Sequence, residues 1–214
     1  MKDRPAYGAR LILAFLVATL IYIIIFSLAS SVSYLNYQKI NITNNIIKNY
    51  NIELEKYLND SSCDENIFVE SSEKLDDAGS KLSLLETRFG KNDFRVLEQK
   101  IIYTDLEYKH YTIMKKLKEK CSTDLKIVLF IYSNSKNEEK ESEKVGNILS
   151  ALKNKYKSKL MIYSFDSNLQ SKIIQNLKLE YEIDNVPTVV YDSKIIEVND
   201  INDLENVIFQ SNKQ

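Results

Sequence analysis

The chain has no tryptophan, four glycines, two prolines, two cysteines and one histidine among 214 residues. There is no G-x-G-x-x-G and no P-loop, so no glycine-rich turn offers its backbone amides to a phosphate. One histidine excludes the H-E-x-x-H pair, and His110 with two distant cysteines does not make the four ligands of a zinc site. The cysteines are not spaced as C-x-x-C, the compact arrangement of a redox motif. Net charge is −1, so no basic excess points to nucleic acid. No metal and no cofactor is expected, and no catalytic residue is assigned.

Charge is also missing locally. From Leu11 to Gln38 there is no charged residue, and "LILAFLVATLIYIIIFSLA" supplies nineteen nearly continuous apolar positions. A helix needs about 20 such residues to cross a bilayer. Lys2, Arg4 and Arg10 precede the segment against Asp3 alone, and the next charge is Lys39. The positive-inside rule then puts the N-terminus in the cytoplasm and everything after about residue 32 outside. The alternative is a cleaved signal peptide, with Ala29, Ser31 and Ser33 offered to a peptidase. The apolar run exceeds the usual 7–15-residue signal core, so an uncleaved signal-anchor in the cell membrane is expected.

Beyond the span the pattern is helical. Ile42, Ile46, Ile47, Tyr50, Leu54, Tyr57 and Leu58 recur at spacings of three and four, predicting a stalk helix over Tyr37–Asp60 that the "NDSSCDEN" loop ends. Leu75, Ala78, Leu82 and Leu85 mark a second helix stopping near Gly90. Asn92 or Asp93 caps a third, striped by Phe94, Leu97, Ile101, Tyr108, Ile113, Met114 and Leu117 and ending near Lys120. The "FGKN" connection is short enough to make these two an antiparallel hairpin. Cys63 precedes the hairpin and Cys121 closes it. With Asp64–Val69 extended, helices of about 29 and 42 Å bring both cysteines to one end. Outside the membrane such a pair reads most simply as a structural disulfide, the alternative being a reactive pair.

From Leu125 the period changes. "LKIVLFIYS" and "KLMIYSFD" are short apolar strands, separated by a helix that a Ser135–Glu138 capping box opens and Val145, Ile148, Leu149, Leu152 and Tyr156 stripe. A helix bearing Leu169, Ile173, Ile174 and Leu177 leads to a strand marked by Val189, Val190 and Tyr191, with Pro187 at its first residue, one of the few places a sheet tolerates a residue that donates no ladder bond. Asp192 and Ser193 turn this strand into "KIIEV", and Asp200 opens a last helix around Leu204, Val207 and Ile208. The order β-α-β-α-β-β-α predicts an α/β domain with a mixed sheet and helices on its faces.

That order, together with Tyr181, Ile183, Val186, Pro187, Thr188, Val189 and Val190 in an aromatic-x-Ile-x-x-Val-Pro-Thr-hydrophobic pattern, resembles the thioredoxin superfamily over residues 124–210. The resemblance implies a cis peptide bond before Pro187, and a peptide-docking edge at Val186, Pro187 and Thr188 that pairs with an extended chain as an added strand. It also implies a C-x-x-C at the start of the helix after the first strand, where amides and dipole favour a thiolate. The chain departs here: the segment reads "YSNSKNEEKESEKVG", and no cysteine occurs from Ser122 to Gln214. Serine cannot cycle through a mixed disulfide. The acidic Glu138, Glu139 and Glu141 suit a helix N-terminus electrostatically.

The whole layout resembles membrane-anchored, extracytoplasmic thioredoxin-like proteins of prokaryotes: residues 1–10 a cytoplasmic tail, 11–32 a membrane span, 33–123 a helical stalk and hairpin, and 124–214 the thioredoxin-like domain. The sequons Asn41–Thr43 and Asn59–Ser61 fit an external location but are expected by chance in an asparagine-rich chain. The expectation is a redox-inactive module binding an extracytoplasmic polypeptide or a membrane-protein partner along the proline edge. Its rivals are a thiol-disulfide oxidoreductase with Cys63 and Cys121 as its exchangeable pair, and a spacer whose helices mediate assembly.

Overall fold

The computed structural model describes residues 5–59, 63 and 65–210. They fall into two compact units, one ending at Thr43 and the other starting at Asn44. Helix α1 (Pro5–Asn59) contributes to both. Within the first unit, Gly8–Val32 is a 25-residue helical stretch with mean hydropathy 2.9 and no buried side chain. At 1.5 Å per residue it rises about 37 Å, against about 30 Å for a hydrocarbon layer. This helix is long and apolar enough to span a membrane. Two of its hydroxyls are satisfied within the helix: Thr19 Oγ1 donates to the Phe15 carbonyl and Ser31 Oγ to the Ser27 carbonyl, each at 2.8 Å. Such i−4 bonds remove a hydroxyl's need for water.

In the second unit, the end of α1 buries Tyr50, whose hydroxyl donates to the Ser71 carbonyl. The Asn41–Thr43 sequon lies in α1; Asn59 is the last residue of α1, and residues 60–62 and 64 of the "NDSSCDEN" loop, with the rest of that sequon, fall outside the described residues. Helices α2 (Glu65–Phe89) and α3 (Phe94–Cys121) form the expected hairpin. Gly90, at φ +93°, ends α2 in the left-handed region that glycine tolerates, and Asp93 caps α3 by accepting from the Arg95 amide at 3.0 Å. The segment expected to be extended over Asp64–Val69 is instead helical from Glu65. Phe68, Ser71 and Ser72 continue the buried stripe of Leu75, Ala78, Leu82 and Leu85 towards the N-terminus, so α2 begins there. Its 25 residues rise about 37 Å and the 28 of α3 about 42 Å, and near-equal helices bring the cysteines together unaided.

The α3 stripe also needs correction. Phe94 and Ile101 are 69% and 46% exposed, whereas Val96, Lys100, Thr104, Glu107, Tyr111 and Met114 are buried. The spacing is helical, but the buried face is partly polar because it lies against a sheet edge.

The remaining elements come in the expected order: β1 (Lys126–Tyr132), α4 (Glu139–Tyr156), β2 (Leu160–Asp166), α5 (Lys172–Glu180), β3 (Thr188–Tyr191), β4 (Lys194–Ile196) and α6 (Ile201–Glu205). The sheet is mixed, in the order β2-β1-β3-β4, with β1 and β2 parallel and the other pairs antiparallel. Asp200 caps α6, accepting from the amides of Asn202 and Asp203 at 2.7 and 3.0 Å. The Ser135–Glu138 capping box does not form. Ser135 Oγ donates to Glu138 Oε2 at 2.7 Å, side chain to side chain, and α4 starts only at Glu139.

Both faces of the sheet are buried, which explains strands that read as unbroken apolar runs. Val128, Phe130, Val189 and Tyr191 meet Leu149 and Leu152 of α4 and Leu204 of α6. Leu129, Ile131, Tyr163 and Phe165 meet Ile174 and Leu177 of α5 and the hairpin's Leu106 and Met114. Among the described residues, β2 has no strand neighbour on its outer side. Side chains stand in for one: the Ser164 amide donates to Glu107 Oε1 of α3 at 2.7 Å, and Lys153 Nζ of α4 donates to the Leu160 carbonyl at 3.0 Å. Occupying an edge with side-chain partners blocks unwanted strand pairing.

Candidate functional site

Strands β1 and β2 are parallel and in register, so their C-terminal ends, Tyr132 and Asp166, lie side by side. The antiparallel register of β3, with Thr188 opposite Ile131, puts Pro187 at that same end, level with Tyr132. The Val186–Pro187 bond is cis, as the resemblance implies. Val186 and Pro187 are half-buried; Thr188 is buried, and its hydroxyl donates to the Asn185 carbonyl. The three predicted edge residues therefore border the thiol-free loop after β1.

That loop is held by a polar network that residue spacing does not reveal. Lys100 of α3 places Nζ 2.6 Å from Glu86 Oε1 and 3.1 Å from Asp166 Oδ2. Asn134 Nδ2 donates to the same Asp166 oxygen at 2.6 Å, and the Asn168 amide donates to Asp166 Oδ1 at 3.0 Å. Asn168 Oδ1 accepts from the Asn134 amide at 2.7 Å and from Ser133 Oγ at 3.1 Å. The Lys100 and Asp166 side chains are 3% and 4% exposed. Burying two charges is costly unless attraction and further hydrogen bonds offset it, and both kinds are present. The hydroxyls of Ser133 and Ser135 hold the Glu138 carboxyl below its usual range. The site offers fixed donors and acceptors beside a strand end but no sulfur nucleophile.

The cysteines are bonded as a disulfide, with Sγ atoms 2.07 Å and Cα atoms 5.6 Å apart. They border a cleft of about 490 Å³ that Leu125 and Lys159 also line. Those two residues immediately precede β1 and β2, so the bridge sits at the N-terminal end of the parallel strands. Seven residues at about 3.3 Å each separate that end from Pro187, roughly 20 Å. The structure does not bring the disulfide to the proline edge. Cys121 is also the last residue of α3. A thiolate there would face the negative helix end, which raises its pKa and makes it a poorer leaving group in exchange.

Two further buried groups stand out on α3. His110 Nδ1 lies 2.8 Å from Tyr163 Oη, and burial pushes the imidazole down to about 3, so it packs as a neutral side chain. Burial pushes the Glu107 carboxyl up to about 8, opposed by the Ser164 amide bond and aided by Asp76. Among the described residues, Glu107 Oε2 has no partner. Glutamate and lysine at helical spacing ordinarily mark a solvated face; only their alignment with Val96, Tyr111 and Met114 hinted that this one is buried.

This geometry defines an α/β domain with a mixed four-stranded sheet and a disulfide-closed helical hairpin against it, in a chain carrying one apolar helix of membrane-spanning length. No family model, no curated protein and no solved structure matches the chain.

Proposed function

We propose that the protein is a membrane-anchored, extracytoplasmic, thioredoxin-like binding module without disulfide-exchange activity of its own. The observation that carries this reading is a juxtaposition: Pro187 enters β3 beside the loop Ser133–Glu138, in a sheet ordered β2-β1-β3-β4, and that loop holds serines and an asparagine where exchange needs thiols. A rigid loop beside a strand end suits the docking of an extended chain, whose backbone supplies the affinity. The excess of Lys2, Arg4 and Arg10 before the apolar helix supports an external C-terminal domain in the cell membrane.

The cleft beside Cys63–Cys121 favours the rival reading, thiol–disulfide exchange at that bridge. The placement of Cys121 at a helix C-terminus weighs against it. The full chain in detergent micelles, offered an unfolded client with a native disulfide, separates the two. Capture that persists in Cys63→Ser/Cys121→Ser and weakens in Pro187→Ala supports the binding module. Turnover of client disulfides, lost in the double variant, refutes it. Protease added to intact cells should digest everything beyond about residue 35; protection of the C-terminal domain would reverse the orientation.

A further inference from the structure

The outer edge of β2 lies in a cleft of about 900 Å³ between α2 and α4, floored by Ile162 and Ser164 and flanked by Asp76, Glu143, Ser150 and Lys153. A second cavity of about 240 Å³ shares Gly79, Ser83, Tyr103, Ile162 and Ser164 with this cleft and is lined by Glu107. Gly79 lets the Tyr103 ring pack against α2 where the two cavities adjoin: a Cβ at position 79 would stand 2.9 Å from the Tyr103 hydroxyl.

Alternate residues of an edge strand point their backbone groups away from the sheet. The Ser167 amide bonds inward to the Tyr132 carbonyl at 2.8 Å, and the Ser164 amide bonds outward to Glu107. By that alternation the amide and carbonyl of Ile162 face outward, into the cleft. The neighbouring outward groups, the Ser164 amide and the Leu160 carbonyl, are already taken by Glu107 and Lys153. Ile162 is left as one residue's worth of strand edge between them. Beyond it stands Glu107, 3% exposed, with a carboxylate oxygen that has no partner among the described residues. Around the two cavities the carboxyls of Asp76 and Glu107 stand against the ammonium of Lys153, while Glu143 is paired to Lys91 and Lys100 to Asp166 and Glu86.

We propose that this cleft receives an extended polypeptide carrying a lysine or arginine, its backbone pairing with Ile162 and its cationic group reaching Glu107 Oε2. Strand addition supplies the register, and the inner cavity supplies the selectivity for a basic side chain. A cation at that oxygen also offsets the burial that otherwise keeps the carboxyl protonated. The strand edge it uses lies on β2, across β1 from Pro187, so either can fail without the other.

The test uses the full chain in detergent micelles and a capped hexapeptide of sequence threonine-valine-lysine-valine-threonine-valine. Binding is followed by fluorescence anisotropy and by amide chemical shifts. The expected result is saturable binding that shifts the Ile162 and Ser164 amides. It should weaken about tenfold or more when norleucine replaces the lysine, as loss of a charge-assisted bond requires. Glu107→Gln, which keeps an acceptor for the Ser164 amide, should weaken it similarly. Ser150→Trp, on the exposed cleft wall, should block it without touching Glu107, so the proposal stays testable if the Gln variant misfolds. Pro187→Ala should leave it unchanged. No binding, binding indifferent to Ser150→Trp, shifts confined to the Pro187 end, or n-butylamine binding as tightly as the peptide would each overturn it.

Discussion

Replacing Glu107 by glutamine should change how the protein's stability responds to pH. The carboxyl titrates near 8 in the folded chain against a usual 4.5. Between those values the folded state holds a proton that the unfolded state has released, so stability falls as pH rises through the window. At about 1.4 kcal/mol per unit of pH, the interval from 4.5 to about 8 amounts to roughly 5 kcal/mol. Glutamine carries no proton to lose. The variant should match the wild type near pH 4, gain about 2 kcal/mol on it by pH 6, and gain roughly 5 by pH 8.

His110 supplies the opposite slope. Its imidazole titrates near 3 in the fold against 6.5 unfolded, so stability falls as pH drops through that range. From these two groups alone, the slopes cancel between pH 4.5 and 6.5, and stability falls off on either side. The alkaline limb belongs to Glu107 and should vanish in the variant; the acid limb should remain. Urea unfolding of the full chain in micelles, followed by tyrosine near-UV circular dichroism at half-unit pH steps, measures both limbs. Parallel curves for wild type and Glu107→Gln from pH 4 to 8 would show that this carboxyl is not held protonated, and the reasoning from burial would fall.

Three further outcomes are expected. Cys63→Ser/Cys121→Ser opens a loop spanning 58 residues and should cost about 4 kcal/mol in the chain-entropy account, read as a lower urea midpoint that equals that of the reduced wild type. Lys100→Met leaves Asp166 buried without its ammonium and should cost about 3–5 kcal/mol; if the double variant Lys100→Met/Asp166→Leu is no more stable than the single one, the unpaired charge is not the cause. Gly90→Ala forces a side chain into φ +93° and should cost about 1 kcal/mol, measured by the same unfolding transition; no change would mean the hairpin turn relaxes to another conformation.

Elements whose physics is local were legible in the sequence. The uncharged run from Leu11, the α2 stripe of Leu75, Ala78, Leu82 and Leu85, and the caps Asp93 and Asp200 each depend on neighbours a few residues away. The disulfide could be inferred from helix lengths even though the start of α2 was misplaced, because both cysteines lie at hairpin ends. The features that stayed hidden needed distant partners. Lys100 is buried only because Asp166, 66 residues on, receives it, and Glu107 because an edge amide 57 residues on does. Ser135 and Glu138 match a capping box in spacing, yet the turn after β1 lets the two side chains bond each other first.

The side chains that Glu107 and Lys153 lay on the edge of β2 bear on how the domain survives synthesis and dilution. The hairpin is made before the sheet it later covers, so when β2 emerges, its partner for the outward Ser164 amide is already in place. Cut the chain at residue 123 and the same sheet is left with an open apolar strand whose free amides recruit any other strand at hand, the first step of intermolecular β-aggregation. The hairpin thus does for this sheet what a dedicated chaperone does for an unfinished one, within a single polypeptide and in the correct order of translation.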